Sequence, residues 1–208
     1  MHPVTKWHFV RHAPVIKAES ELYASNDEPA DISDNAAFKV LASRLPADAV
    51  WITSHLQRAR QTAAGIREAG LDFPRELIER DLAEQDFGDW HGQEYDDVQA
   101  AMRRQGDGHK FWMIPAAAEP PNGESFFDVL NRVHAAIERL TREHQGKQIV
   151  AVAHGNVIRA ALTLALGLEP NRALGLQIQN LSTTRIDHVP GPGLGGDWRV
   201  CFMNARAK

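Results

Sequence analysis

The sequence predicts an α/β fold, because short apolar runs alternate with longer stretches of helical periodicity. The apolar runs at residues 7–10, 50–53 and 149–153 have the length and composition of buried strands. The spacing of apolar residues predicts helices over residues 34–44, 56–68, 94–104, 125–144 and 156–166. A sheet with helices packed against it follows from this alternation.

The other segments are predicted from turn residues and from apolar alternation. The helix over residues 125–144 carries an apolar stripe that should pack on the sheet, formed by Phe126, Val129, Leu130, Val133, Ile137 and Leu140. Glycine, proline and alanine over residues 106–123 predict an irregular excursion that caps a site. Alternation predicts strands at 174–178 and 183–186, and a glycine-rich turn precedes a last strand at 198–203.

Composition predicts one soluble globular domain over residues 1–208, with cap segments at about 17–33 and 106–122. A net charge of -4 gives no overall positive field for nucleic acid, so any anion site must be local. Cys201 is the only cysteine, and no apolar run approaches the roughly 18 residues of a membrane helix. We therefore expect a cytoplasmic protein with no nucleic-acid or membrane partner.

Two histidines follow the ends of predicted strands. Arg11-His12 comes directly after the first apolar run, and His154-Gly155 follows the run at 149–153. The carboxyl ends of parallel strands share one crevice, so both histidines are expected to face the same bound group. A neutral histidine nitrogen can attack phosphorus, and a neighbouring guanidinium can bind phosphoryl oxygens through paired hydrogen bonds. The pattern fits phosphoryl transfer.

A predicted helix start supplies a second cation. Ser54 follows the apolar run at 50–53 and is a plausible N-cap, which places Arg58 on the first turn of the next helix. Free backbone N–H groups at a helix start favour anions, so Arg58 can act as a second phosphate clamp.

The acidic loop over residues 82–92 supplies the candidate general acid. A departing alkoxide needs a proton, and a partly buried carboxyl group beside a bound anion can donate it. Glu84 is the candidate, with Asp86 in reserve.

The segment after the predicted strand at 149–153 adds further site residues. His154 is expected to hold the phosphoryl group by hydrogen bonding, and Asn156 is expected to contact the substrate. Gly155 permits close backbone approach. Arg159, one turn further along the helix, is expected to support the site from behind.

Each of these motifs alone has an ordinary structural interpretation. A strand-end histidine beside a surface arginine, a solvated arginine on a helix and a surface carboxylate are all common. For the aromatic pair Phe111 and Trp112, anchoring of the cap segment is favoured over stacking on a substrate. Only the combination of motifs favours catalysis.

Together the motifs resemble the histidine phosphatase superfamily, the phosphoglycerate-mutase-like group, and more loosely its bacterial phosphatases akin to α-ribazole phosphatase. The matching motifs lie at residues 11–12, 54–63, 84–92, 123–125 and 154–159. The resemblance implies a three-layer α/β/α sandwich with a mostly parallel central sheet. It also implies that no metal and no organic cofactor is required.

The resemblance assigns roles to five residues. It implies that His12 is the phosphorylated nucleophile, that Arg11, Arg58 and His154 form the phosphate pocket, and that Glu84 acts first as acid and then as base. The expected activity is hydrolysis of a phosphorylated small molecule by a monomer or a homodimer.

Two departures from the family pattern bear on the alternatives. Val15 replaces a hydroxyl residue near the phosphate, and Ala18 stands where the mutases carry an asparagine. Both argue against phosphoglycerate-type mutase activity, which stays open as one alternative. A catalytically weak phosphate-binding regulatory protein is the other.

Overall fold

A six-stranded sheet forms the centre of the molecule in a computed structural model that describes residues 3–15, 26–104 and 108–206. The strands are β1 (Thr5–Arg11), β2 (Val50–Thr53), β3 (Leu77–Ile78), β4 (Gln148–Ala153), β5 (Thr183–His188) and β6 (Trp198–Ala205). They lie in the order β3-β2-β4-β1-β5-β6. Strands β3, β2, β4 and β1 pair in parallel. Strand β5 pairs antiparallel with both β1 and β6. The predicted α/β fold with a mostly parallel sheet is confirmed.

All five predicted helices form, and their ends agree with the predicted ranges to within one residue. They are α1 (Asn35–Arg44), α2 (Gln57–Glu68), α3 (Tyr95–Arg104), α4 (Phe126–Glu143) and α5 (Gly155–Leu166), followed by a short α6 (Pro170–Leu174). Short 3₁₀ helices cover Arg80–Leu82 and Gly88–Trp90. Within the described ranges, no helix has the length and apolar character needed to span a bilayer.

The helices cover both faces of the sheet, as β4 illustrates. Ile149 and Ala151 belong to the apolar cluster that contains the buried stripe of α4 and residues of α5. Val150 and Val152 point the other way, into the cluster that contains buried residues of α1 and α2. Alternate side chains of a strand point to opposite faces, so a strand that is apolar throughout is buried on both sides. The result is the expected helix–sheet–helix layering.

The prediction of a strand at 174–178 is wrong. Pro170 at the first helical position and the Glu169 side chain, which accepts hydrogen bonds from the Asn171 and Arg172 N–H groups, start α6 instead. The chain then runs irregularly from residue 175 to 182. Its carbonyl groups accept hydrogen bonds from arginine side chains, so the apolar alternation reflects burial without strand pairing.

The C-terminal part of the sheet follows the predictions at 183–186 and 198–203, with both strands longer than expected. The prediction missed β3, because its two side chains are half exposed and carry no alternation signal. The described part of the predicted caps, residues 26–33 and 108–122, contains no helix or strand longer than a single bridge residue. The rest of the cap prediction, together with Ala18, lies outside the described residues.

Strand register brings three loops to one edge of the sheet. β1 and β4 pair with Arg11 opposite Ala153, and β2 and β4 pair with Thr53 opposite Val152. The residues that follow these three strand ends therefore lie side by side.

The start of α4 makes a testable contribution to stability. Ser125 Oγ accepts a hydrogen bond from the Asp128 N–H at 3.3 Å, and the Asp128 carboxylate accepts one from the Ser125 N–H at 2.9 Å. We expect Ser125→Ala to lower the free energy of unfolding by about 1 kcal/mol in urea titrations, because the Asp128 N–H loses the side-chain oxygen that accepts its hydrogen bond. Ser43→Ala, at an exposed position of α1, should change it much less. Equal effects of both variants would contradict this account of the cap.

Candidate active site

The two strand-end histidines lie against each other in the interior. The His12 N–H donates to the Ala153 carbonyl oxygen at 3.0 Å, which ties the end of β1 to the end of β4. The ring centroids of His12 and His154 are 5.1 Å apart, and both side chains are buried. Register alone therefore places two imidazoles at one point of the sheet edge.

Three hydrogen bonds at His12 and Ala13 fix the orientation of the His12 imidazole. Its Nδ1–H donates to the Ala13 carbonyl oxygen at 2.6 Å, the Ala13 N–H donates to Thr62 Oγ1 at 2.8 Å, and Asn180 Nδ2 donates to the His12 carbonyl oxygen at 2.8 Å. A carbonyl oxygen can only accept, so Nδ1 carries the proton and Nε2 keeps its lone pair in the neutral ring. Nε2 is buried and has no hydrogen-bond partner in the described part of the chain.

Both imidazoles are neutral at neutral pH. Burial, then the charges of Arg58 and Arg11, hold the pKa of His12 well below its ordinary value of 6.5. Burial also comes first among the causes that lower the pKa of His154, followed by Arg58, His12 and Arg11. Desolvation and nearby like charge both disfavour the protonated form. A buried neutral imidazole with a free lone pair is a competent nucleophile.

Ser54 has a different place from the predicted one. The N-cap position of α2 is Leu56, and a hydrogen bond of 2.7 Å joins Ser54 Oγ to His154 Nε2. Ser54 Oγ also accepts from the Leu56 N–H at 3.3 Å. The serine therefore orients His154, whose Nδ1 is buried without a hydrogen-bond partner among the described residues.

Two guanidinium groups surround the histidines. Arg11 Nη1 donates to the Ile178 carbonyl oxygen at 2.5 Å, and Arg58 Nη1 donates to the Asn26 carbonyl oxygen at 2.6 Å. Arg58 is fully buried on the first turn of α2. Their effect on the histidine pKa values places the positive charge of both arginines close to the two rings. A protein of net charge -4 thus concentrates positive charge at one internal point.

Glu84 is bound to the start of α5. Its carboxylate accepts hydrogen bonds from the N–H groups of Gly155 at 3.0 Å, Asn156 at 3.2 Å and Gln85 at 3.0 Å. A methyl group built on Gly155 would lie 3.3 Å from Arg159 Nη1, 3.7 Å from Glu84 Oε2 and 3.8 Å from Arg11 Nε. Glycine at 155 therefore leaves a small space on which two guanidinium groups and a carboxylate converge.

Asn156 bonds to two other residues near the site. It is 1% exposed. Its Nδ2 donates to Gln85 Oε1 at 2.9 Å and its Oδ1 accepts from Arg159 Nη1 at 2.9 Å. Asn156 therefore joins the acidic loop to Arg159, and its contact with the substrate stays a prediction.

Arg159 closes this network. Its Nε donates to the Leu176 carbonyl oxygen at 2.9 Å, and its guanidinium lies 4.2 Å from the centre of the Trp112 ring. Burial is the largest cause that lowers the pKa of Arg159 to about 10, while Glu84 raises it. Arg159 thus remains charged at neutral pH and adds to the field around Glu84.

No pattern in the sequence indicates Arg132, which holds the acidic loop in place. Its guanidinium donates to the carbonyl oxygens of Asp81, Ala83 and Glu84 and forms an ion pair with Glu124 at 2.6 Å. Three of these partners are backbone carbonyl groups, which every residue type has, so no pattern of residue types reveals them. Gln85 was missed for a similar reason, since its 1% exposure becomes apparent only in the folded chain.

A cleft of about 680 Å³ opens beside Arg11. One wall is the irregular 175–182 segment, and Phe111, Trp112 and Arg159 line the other side. Trp112 packs against Arg159, as an anchoring residue would. The anchoring interpretation is wrong for Phe111, whose side chain is 68% exposed.

Within residues 3–15, 26–104 and 108–206, no three His, Cys, Asp or Glu side chains are grouped as metal ligands would be. The groups that do converge are a neutral imidazole with a lone pair, a second imidazole, two guanidinium groups and a carboxylate. Such a set can bind a tetrahedral oxyanion, attack its central atom and move a proton.

The electrostatic description of His12 can be tested by NMR. Because burial, Arg58 and Arg11 lower its pKa, we expect the His12 imidazole to stay neutral as the pH falls through 6.5. The His12 resonances, which are assigned by their loss in His12→Ala, should show no titration step centred at pH 6.5. A step at 6.5 would contradict the buried, neutral state.

Comparisons with known proteins agree with the site. Residues 8–194 match the histidine phosphatase superfamily (branch 1). The chain is 32% identical over 169 residues to a bifunctional protein of Mycobacterium tuberculosis, which covers 78% of this chain but only 44% of that protein. It is 31% identical over 188 residues to a glucosyl-3-phosphoglycerate phosphatase of Mycolicibacterium vanbaalenii, covering 83% of this chain and 80% of that one. The chain thus spans less than half of the bifunctional relative.

The fold agrees as well. The structure of a mycobacterial glucosyl-3-phosphoglycerate phosphatase superposes with a TM-score of 0.77 at 24% identity, over 97% of this chain and 99% of that chain. The likeness in structure extends over the whole sheet and its helices. With the family match extending over residues 8–194, this chain belongs to the histidine phosphatase superfamily.

Proposed function

We propose that this chain is a phosphomonoesterase, a phosphoric monoester hydrolase that acts on a phosphorylated small molecule through a phosphohistidine. One observation carries the proposal: the Nδ1–H of His12 is fixed on the Ala13 carbonyl oxygen, which leaves the Nε2 lone pair buried among cations. A neutral nucleophile beside positive charge suits attack on an anionic phosphoryl group.

Binding of the phosphoryl group is assigned to Arg11, Arg58 and His154. The two guanidinium groups offer donors to the equatorial oxygens, and a dianion between the imidazoles favours protonation of His154. The desolvation cost of this cationic cluster is offset when a phosphoryl dianion enters it. Positioning and charge stabilisation together account for most of the catalysis in phosphoryl transfer.

In the first step, His12 Nε2 attacks phosphorus as the bond between phosphorus and the leaving oxygen breaks. Glu84, protonated at this stage, gives its proton to the leaving oxygen, so the alcohol departs neutral. The space beside Gly155, on which Glu84, Arg11 and Arg159 converge, suits the leaving oxygen.

In the second step, water attacks the phosphohistidine. The Glu84 carboxylate takes the proton from the water as the new oxygen–phosphorus bond forms, and the bond from phosphorus to Nε2 breaks. Inorganic phosphate leaves and His12 returns to its neutral form. Every proton and phosphoryl movement uses residues of this chain and water.

The glucosyl-3-phosphoglycerate phosphatase of Mycolicibacterium vanbaalenii is named for a phosphorylated small molecule. This similarity supports a phosphorylated small molecule as the class of substrate. We extend only the reaction class to this chain. The regulatory alternative predicts loss of a catalytic group, whereas both histidines, both arginines and Glu84 are present and adjacent.

Replacement of the nucleophile tests the covalent step. His12→Ala should lower turnover of phosphomonoesters by at least about a thousandfold, because the variant lacks the assigned nucleophile. Rapid quench with a substrate that carries labelled phosphate should give an acid-labile, alkali-stable phosphoprotein in the wild type and none in the variant.

The half-buried His144 provides the matched control, since it lies at the end of α4 away from the sheet edge. His144→Ala should keep turnover and labelling. Turnover of His12→Ala at the wild-type rate, or label on another residue, would refute the mechanism. Label transferred to an added monophosphate acceptor in preference to water would favour the mutase alternative.

Replacement of the acid tests proton transfer. Glu84→Gln keeps an oxygen for the N–H groups at the start of α5 but cannot supply a proton. We expect phosphorylation of the protein by an alkyl phosphate, followed by rapid quench, to slow by about a hundredfold or more, and phosphorylation by nitrophenyl phosphate to slow far less, because nitrophenolate leaves without protonation. Hydrolysis of the phosphohistidine should slow for both substrates, since the base of the second step is lost.

Asp86→Asn is the control for this prediction, because Asp86 lies two residues away and pairs with His91. It should affect both substrates alike. A selective loss for alkyl phosphate in Asp86→Asn, with Glu84→Gln unaffected, would transfer the role of acid to Asp86.

A further inference from the structure

Phe111 is an exposed aromatic residue that lines the cleft beside Arg11. Its side chain is 68% exposed, whereas its neighbour Trp112 is packed against Arg159. Phe111 also lines a second cavity formed with residues of α6. It therefore lies where the cleft that reaches Arg11 meets the second cavity.

The turn that presents Phe111 is built around one imidazole. His109 Nδ1 accepts hydrogen bonds from the N–H groups of Phe111 at 3.1 Å and Trp112 at 2.9 Å. His109 Nε2 donates to the Asn171 carbonyl oxygen at 2.8 Å. Because Nδ1 accepts and Nε2 donates, one neutral tautomer satisfies all three bonds. The exposed position of Phe111 is thus held by a complete set of bonds.

The same turn is docked on α6. Asn171 Oδ1 accepts from the Ala116 N–H at 2.9 Å, which fixes the segment on the far side of Phe111. A methyl group built on Gly175 would lie 3.4 Å from Phe111 Cδ2, so the ring reaches across to the start of the 175–182 segment. The ring is therefore placed before any ligand binds, which limits the entropy lost on binding.

The cleft has the size and chemistry for more than a short alcohol. About 680 Å³ is within the range of pockets that hold drug-sized ligands. Its lining also includes Gln177, Gln179 and Asn180, which are residues with amide side chains. Amide groups and an aromatic face in one cleft suit a ring that carries polar substituents.

We propose that Phe111 stacks on a ring in the leaving group of the substrate, so that the protein selects ring-bearing phosphomonoesters over short acyclic ones. This inference rests on the proposed phosphatase function and adds the specificity of the same site. The ring is either a planar aromatic ring or the C–H face of a sugar, both of which offer an apolar face to phenylalanine.

Steady-state kinetics with three substrates separates these cases. Phenyl phosphate carries an aromatic ring, glucose 6-phosphate a saturated hydroxylated ring, and glycerol 3-phosphate no ring. Phe111→Ala should raise KM for at least one ring substrate by about fivefold, with kcat changed by less than about twofold, and should leave glycerol 3-phosphate unaffected. Phe111→Trp should keep KM for the ring substrates near the wild-type value, because it keeps an aromatic face.

Phe127→Ala is the matched control, since Phe127 is 44% exposed on α4 and does not line the cleft. It should leave all three substrates unchanged. Loss with phenyl phosphate alone identifies an aromatic ring, and loss with glucose 6-phosphate identifies a sugar face. Equal loss for all three substrates, or no loss for either ring substrate, would overturn the inference while phosphatase activity persists. If the wild-type protein hydrolyses none of the three, the proposed function itself fails, and this inference with it.

Discussion

The pairing of β1 with β4 is the constraint on which the rest of the site depends. The register places Arg11 opposite Ala153, and the hydrogen bond from the His12 N–H to the Ala153 carbonyl oxygen extends that pairing one residue beyond the strand. A slip of one residue would turn alternate side chains to the other face of the sheet and separate the histidines. The apolar strands, buried by helices on both faces, make such a slip costly. The packing of the core therefore determines the relative positions of His12 and His154.

A second constraint is the fixed orientation of the charged groups in the interior. Arg11 donates to the carbonyl oxygen of Ile178, and Arg58 donates to the carbonyl oxygen of Asn26. The N–H groups at the start of α5 hold the carboxylate of Glu84. Backbone groups therefore orient both the cations and the candidate acid before a substrate binds.

Local patterns in the sequence predict most of the strands, the five long helices and the place of His12 and His154, because period and strand ends are properties of neighbouring residues. The role of Ser54 depends on the register of β2 with β4, so local pattern alone predicts a helix cap there. Arg132 and Asn180 act on backbone carbonyl groups of distant segments, which no side-chain pattern reveals. The alternation at 174–178 wrongly predicts a strand, because a buried irregular segment and an edge strand have the same apolar spacing. Tertiary contacts, and the exposure of Phe111, lie beyond what local periodicity can encode.

Hydrogen bonds of His109 and Asn171 hold the turn that carries Phe111 against α6. His12 and His154, in contrast, directly follow strands of the sheet. The two parts meet at the 175–182 segment and at the contact of Trp112 with Arg159. Exchange of a few residues in that turn would alter which molecules are accepted while the reacting groups keep their positions. Selection can therefore act on substrate choice and on chemistry as separate traits, which is a route by which one scaffold acquires many metabolic tasks.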